Sequence, residues 1–173
     1  MDRQQRIDAL DLALGNEMSE RKFYLEQSGR TKNPLGKAML SEIANDELEH
    51  YERLKELGEK WKSDKKWPDT VPPGVKKTDV RKIMETYLKS GDVKEGDADD
   101  IRALEIAIEF EAKGMEFYAG LRDSVSDGKE KAFFDLLAKM EREHYLSLKD
   151  AEEYLKDPVS WLRRSEHHSL DGA

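Results

Sequence analysis

Six side chains supply the chemistry available to this sequence: Glu17, Glu47, His50, Glu111, Glu141 and His144. Four of them form two Glu-x-x-His pairs, Glu47 with His50 and Glu141 with His144. On a helix, residues three apart lie about 60° apart in projection, so the Glu and the His of each pair can reach one point. Carboxylate and neutral imidazole are metal ligands, and the charges balance: four carboxylates against two divalent cations. Four oxygen-bearing groups with only two nitrogens favour iron or manganese over zinc or copper(I). Carboxylates also shift between terminal and bridging modes, which suits a metal that changes oxidation state. The expectation is two iron ions, with manganese or a mixed Fe/Mn pair as the alternative.

A lone Glu-x-x-His in a glutamate-rich helical chain means little, because glutamates are usually solvated and a core histidine usually has a hydrogen-bond partner. Register changes that. Glu111 follows Glu17 by 94 positions, and the same shift brings Glu47 onto Glu141 and His50 onto His144. Phe23-Tyr24 falls on Phe117-Tyr118, Lys37-Ala38 on Lys131-Ala132, and Leu54-Lys55 on Leu148-Lys149, without a gap. The chain has four histidines, and both that lie outside its C-terminal segment fall in the motif. An internal repeat of this kind marks a duplicated supersecondary unit.

Helices must position these groups. The periodicity predicts a first helix from about Gln4 to Gln27, with a left-handed stop near Gly29, and a second from Asn33-Pro34 to about Lys60. Prolines 68, 72 and 73 make residues 61–78 a loop, and Asp79 to Lys89 a short helix with Val80, Ile83, Met84 and Tyr87 on one side. Gly91 to Gly96 is a break. A third long helix spans about Ala98 to Val125 and a fourth runs to about Lys156, where Asp157-Pro158 stops it. Residues 1–157 read as one domain and 158–173 as a C-terminal tail, part of which packs back through Trp161 and Leu162. Trp61 and Trp67 read as packing anchors of the crossover.

In the second helix the apolar seam is Leu40, Ile43, Glu47, His50, Leu54, Leu57; in the fourth it is Phe134, Leu137, Glu141, His144, Leu148, Ala151. Leu10, Leu14, Glu17, Tyr24 and Leu104, Ala107, Ile108, Glu111, Tyr118 are the seams of the first and third. All six candidate ligands therefore interrupt core stripes, where unpaired carboxylates would be costly. Glu20, one turn past Glu17, reads equally as a further ligand, a group beside the ligands or a surface glutamate; its register partner is Gly114. Tyr24 and Tyr118 read mainly as core packing, with hydrogen bonds to ligand carboxylates as the alternative. His167-His168 reads as solvated.

Composition narrows the rest. Of 173 residues, 39% are charged and 37% hydrophobic, with 30 Lys and Arg set among 38 Asp and Glu. Interleaved charge with helical periodicity is the profile of long amphipathic helices. The net charge of -8 argues against nucleic acid and against an anionic membrane surface. No apolar run approaches the roughly 20 residues of a membrane span, and no signal-peptide core follows Met1, so a cytoplasmic location is expected. With no cysteine, a disulfide, a thiol nucleophile or a Cys-ligated iron centre within this sequence is excluded.

The order Glu, Glu-x-x-His, Glu, Glu-x-x-His, together with the run Ile-Glu-Phe-Glu-Ala-Lys-Gly-Met-Glu-Phe-Tyr from Ile108 to Tyr118, resembles the rubrerythrin-like branch of the ferritin-like di-iron carboxylate superfamily. The resemblance extends over roughly residues 4–156. It implies an all-α, ferritin-like four-helix bundle of two helical hairpins joined by a long crossover with a short extra helix. It also implies bridging roles for Glu47 and Glu141, terminal roles for Glu17 and Glu111, and one iron each for His50 and His144. The activity implied is reduction of H2O2 or O2, with an external redox protein as electron donor and a homo-oligomer, a dimer being favoured. Ferroxidase-type iron handling and a non-catalytic metal-binding module are the alternatives. Two features depart from rubrerythrins proper: this sequence has no rubredoxin-like centre, which takes four cysteines, and Gly114 stands where they carry an extra glutamate.

Overall fold

The computed structural model describes residues 1–64, 80–91 and 94–170. Among them are six helices and no strand: α1 Arg3–Arg30, α2 Pro34–Asp64, α3 Val80–Lys89, α4 Ala98–Ser124, α5 Gly128–Lys156 and α6 Pro158–Leu170. α1 packs on α2 and α4 on α5, making two hairpins, and the hairpins meet through α1 with α4 and α2 with α5. This is a ferritin-like helical bundle, as expected. Trp67 lies outside the described residues, as do the side chains of Trp61, His167 and His168. No helix among the described residues is long and apolar enough to cross a membrane.

Short polar side chains start the helices by accepting their first free N–H groups. Asp2 with Gln5 and Asp97 with Asp100 form capping boxes. Asn33 accepts from the N–H groups of Leu35 and Gly36, ahead of Pro34, and Asp127 accepts from those of Lys129 and Glu130. The end of α1 differs from expectation. Gly29 does not turn left-handed; the positive-φ glycine among the described residues is Gly91. Thr31 closes the helix instead, its N–H and its hydroxyl both donating to Gln27 O at 2.8 Å.

The segment after Asp157 also differs. Asp157-Pro158 stops α5, but a sixth helix follows where a tail was expected. Pro158 takes the first helical position, where its missing N–H leaves nothing unpaired. Asp157 accepts the Ser160 N–H at 3.0 Å. Trp161 then donates Nε1–H to Asp150 at 2.7 Å and packs edge-on against Tyr154. That contact carries α6 back onto the body.

Each hairpin turn is clasped by the other hairpin. The buried Asp100 carboxylate accepts the backbone N–H groups of Lys32 and Asn33 at 2.8 and 3.2 Å. At the opposite end Arg6 pairs with buried Glu130 at 3.3 Å. Such contacts lock the register of the four long helices. Gly96 contributes a close approach: its N–H donates to Leu155 O at 3.0 Å, and a Cβ there would sit 2.7 Å from Leu155 Cδ2. Gly96→Ala is expected to cost ~1–3 kcal/mol by overpacking. A lowered urea midpoint with an unchanged slope would record it, and an unchanged midpoint would count against the close approach.

The core has two apolar clusters rather than one. The first gathers around Tyr24, Leu40, Ile43, Leu104 and Tyr154, with α3 and α6 against it. The second gathers around Leu10, Leu54, Leu57, Phe133 and Leu137. Leu14, expected on the seam of α1, is half-buried, and Ala13 is the fully buried residue there.

Candidate metal centre

The polar residues of the seams lie along the helices between these two clusters. Glu17, Glu47, His50, Glu111, Glu141 and His144 are all buried, with none more than 3% exposed. One helix supplies each single glutamate, α1 or α4, and one helix each Glu–His pair, α2 or α5. The fold brings the six together as two overlapping groups. Glu17, Glu47, His50 and Glu141 form one; Glu47, Glu111, Glu141 and His144 form the other. Within each group the potential ligand atoms lie within 4.8 Å of one another. Glu47 and Glu141 belong to both.

The histidines face this centre through Nδ1. His50 Nδ1 lies 3.1 Å from Glu17, 3.0 Å from Glu47 and 3.4 Å from Glu141. His144 Nδ1 lies 3.4 Å from Glu47 and 3.3 Å from Glu111. The two rings are nearly parallel, 17° apart, with centroids at 5.9 Å. Tyr24 OH donates to Glu111 Oε1 at 2.6 Å, and Tyr118 OH donates to Glu17 Oε1. The tyrosines thus pack in the core and also hold one carboxylate each, each reaching across to the other hairpin.

Electrostatics show why this arrangement suits cations. Burial pushes the Glu17 carboxyl well above its usual range, and neighbouring Glu47 adds to the shift. Burial does the same to Glu111, with His144 partly opposing it. Burial also disfavours ionised Glu47, but His50 and the hydrogen bonds around it outweigh that and hold this carboxylate low. Burial works against protonated His50 and His144 too, yet Glu47 and Glu17, and Glu111 and Asp46, raise them. Glu20 is only partly covered, but burial and the charges of Glu141, Glu47, Glu111 and Glu17 push it up to about 10. It stands beside the centre and is not among the grouped atoms.

The residues fit a metal on a further ground. Glu47 Oε1, Glu111 Oε2, both Glu141 oxygens and His144 Nδ1 are buried without a hydrogen-bond partner. Buried polar atoms are normally satisfied, and these are lone-pair bearers converging on one spot. Gly114 sets the wall beside them: a Cβ there would lie 3.0 Å from Glu141 Oε2. Gly114 and Glu20 both line a cleft of about 390 Å³ between α1 and α4.

One buried residue at the centre has no counterpart among the sequence candidates. Asp46 Oδ2 accepts from His144 Nε2 at 3.1 Å. Its signal was present as a mismatch: the 94-residue register pairs Asp46 with Met140, a polar with an apolar core residue. The tyrosines give a direct test of the carboxylate positions. Tyr24→Phe and Tyr118→Phe are each expected to weaken metal binding about 10–100-fold, the usual loss for a partner outside the ligand shell. Competition against a chelator measures this, and wild-type affinity would reduce both phenols to packing.

Comparison with known proteins gives the same direction. Residues 8–152 match the family model described as Rubrerythrin. A solved structure of a hypothetical protein from Pyrococcus furiosus aligns with 86% of this chain and 89% of that one, at TM-score 0.62 and 24% identity, which is a likeness of fold. No curated protein matches the chain.

Proposed function

The chain belongs to the rubrerythrin family, and on that premise we propose that its buried centre holds two iron ions and reduces H2O2 or O2 with electrons from an external donor protein. The observation that carries this reading is the pair of overlapping ligand groups sharing Glu47 and Glu141. Being shared, those two carboxylates would serve both metal positions. Glu17 with His50, and Glu111 with His144, complete one position each. A bound di-iron pair supplies two electrons, the number needed to take H2O2 and two protons to two waters.

The chain's own residues supply the setting. Tyr118 and Tyr24 hold Glu17 and Glu111 by one oxygen each, leaving the second oxygen turned to the centre. The apolar clusters above and below exclude bulk water and so strengthen every charge interaction inside. The set of four carboxylates and two imidazoles favours iron or manganese over softer-site metals.

Stopped-flow oxidation tests the proposal. The iron-loaded, anaerobically reduced protein is expected to consume H2O2 or O2 far faster than metal-free protein, at one H2O2 per metal pair. A rate no faster than that of the metal-free chain would end the redox reading and leave a metal-binding module.

A further inference from the structure

The two halves of the centre repeat in outline, but the contact behind the histidine ring does not. His144 presents Nδ1 to the ligand carboxylates and Nε2 to Asp46 at 3.1 Å. His50 presents Nδ1 in the same way, yet its Nε2 is buried with no hydrogen-bond partner among the described residues. In register with Asp46 stands Met140, also buried, whose thioether is at most a weak acceptor.

A carboxylate behind a ligating imidazole has three effects. It accepts a hydrogen bond from Nε2–H and so fixes the tautomer that leaves a lone pair on Nδ1. It holds the ring plane. It also makes Nδ1 more basic. His144 has all three, and His50 has none from a protein group among the described residues. Its ring is oriented only from the side that faces the ligand carboxylates.

We propose that Asp46 and Met140 make the two metal positions unequal: the Glu111–His144 position is the tight one, and the Glu17–His50 position is the exchangeable one. The inference rests on the metal-centre reading above. Loading is then sequential, and a chain with one ion carries it in the Asp46 half. Where two metals compete, the second kind enters beside His50.

Titrating the chelator-stripped, full-length protein with Co2+ tests this. Two binding steps about tenfold or more apart are expected. Two equal positions that repel each other would also bind in two steps, so position and variants decide. At one equivalent of diamagnetic Zn2+, the larger ring shift in the NMR spectrum is expected at His144 rather than at His50. Asp46→Met, which copies the other half, is expected to weaken the first step about 10–100-fold and leave the second in place. Met140→Asp is expected to tighten the second step. Circular dichroism confirms that each variant is folded, and if the Met140→Asp protein is not, the Asp46→Met result stands alone. Equal shifts of both rings at one equivalent, or an Asp46→Met protein with unchanged steps, would overturn the inequality while the metal centre survives. A folded protein that binds no Co2+ would overturn both.

Discussion

Replacing Glu47 by alanine is expected to abolish both metal positions, whereas replacing Glu17 by alanine removes one. Glu47 belongs to both ligand groups, and Glu17 to one only. Losing a shared carboxylate leaves each position short of a ligand, and it takes a negative charge from between two cations. The loss should exceed the 10–100-fold typical of groups that merely support ligands. The two variants also differ without metal. Glu47 is the carboxylate that stays ionised between His50 and His144, so removing it strands buried positive charge. Breaking a buried pair in this way typically costs ~3–5 kcal/mol. Burial instead pushes the Glu17 carboxyl up, which favours its neutral form, so its removal strands less charge than removal of Glu47. Elemental analysis of purified, iron-reconstituted proteins is the measurement: two metals per chain for wild type, one for Glu17→Ala and none for Glu47→Ala. Equal losses from the two variants would refute the shared role, and Glu47→Gln, which keeps the shape, separates charge from packing.

What could be read from residues alone follows from which signals are periodic. The six clustered glutamates and histidines were legible because each interrupts a stripe of helical period and belongs to a set that repeats 94 positions apart. The start of α2 was legible from Asn33-Pro34, since capping is a local matter. Gly29 misled because a glycine near a helix end is a common stop, while Thr31 offered both an N–H and a hydroxyl for the last turn. α6 was missed because a proline after an aspartate reads as a terminator from one side and as an N-cap with its first residue from the other. Asp46 left only an indirect trace, its mismatch with Met140 in the 94-residue register. Its partner is 98 residues away, and no local pattern announces a contact across two hairpins. Asp100 with Lys32 and Asn33, and Arg6 with Glu130, escaped for the same cause.

Stability of the metal-free chain is expected to fall as pH rises, while the stability that bound metal adds is expected to grow. Without metal, Glu17, Glu20, Glu111, His50 and His144 all have folded-state pKa values raised above their ordinary ones. The folded chain therefore binds more protons than the unfolded chain. A raised group contributes its full stability below its unfolded pKa and loses it as pH rises through the folded value. For the glutamates the loss starts above the ordinary 4.5 and, for Glu20, runs to about 10. For the imidazoles it starts above 6.5. Glu47 has the opposite sign, but its stability is already complete above 4.5 and is lost only in more acid solution. From about pH 5 to 9 the metal-free protein should thus become steadily less stable. Metal must displace those same protons, so its affinity rises over this range. Free metal at a thousand times its dissociation constant adds ~4 kcal/mol, which for a chain of this size raises Tm by about 8–16 °C. Surface groups titrate alike in both forms, so the difference between the two melting curves isolates the centre. Calorimetry with chelator and with Fe2+ or Mn2+ under anaerobic conditions should show that difference widening as pH rises. A constant gap would mean that Glu17, Glu111, His50 and His144 give up no protons to metal, and the proposed ligand set would have to be abandoned.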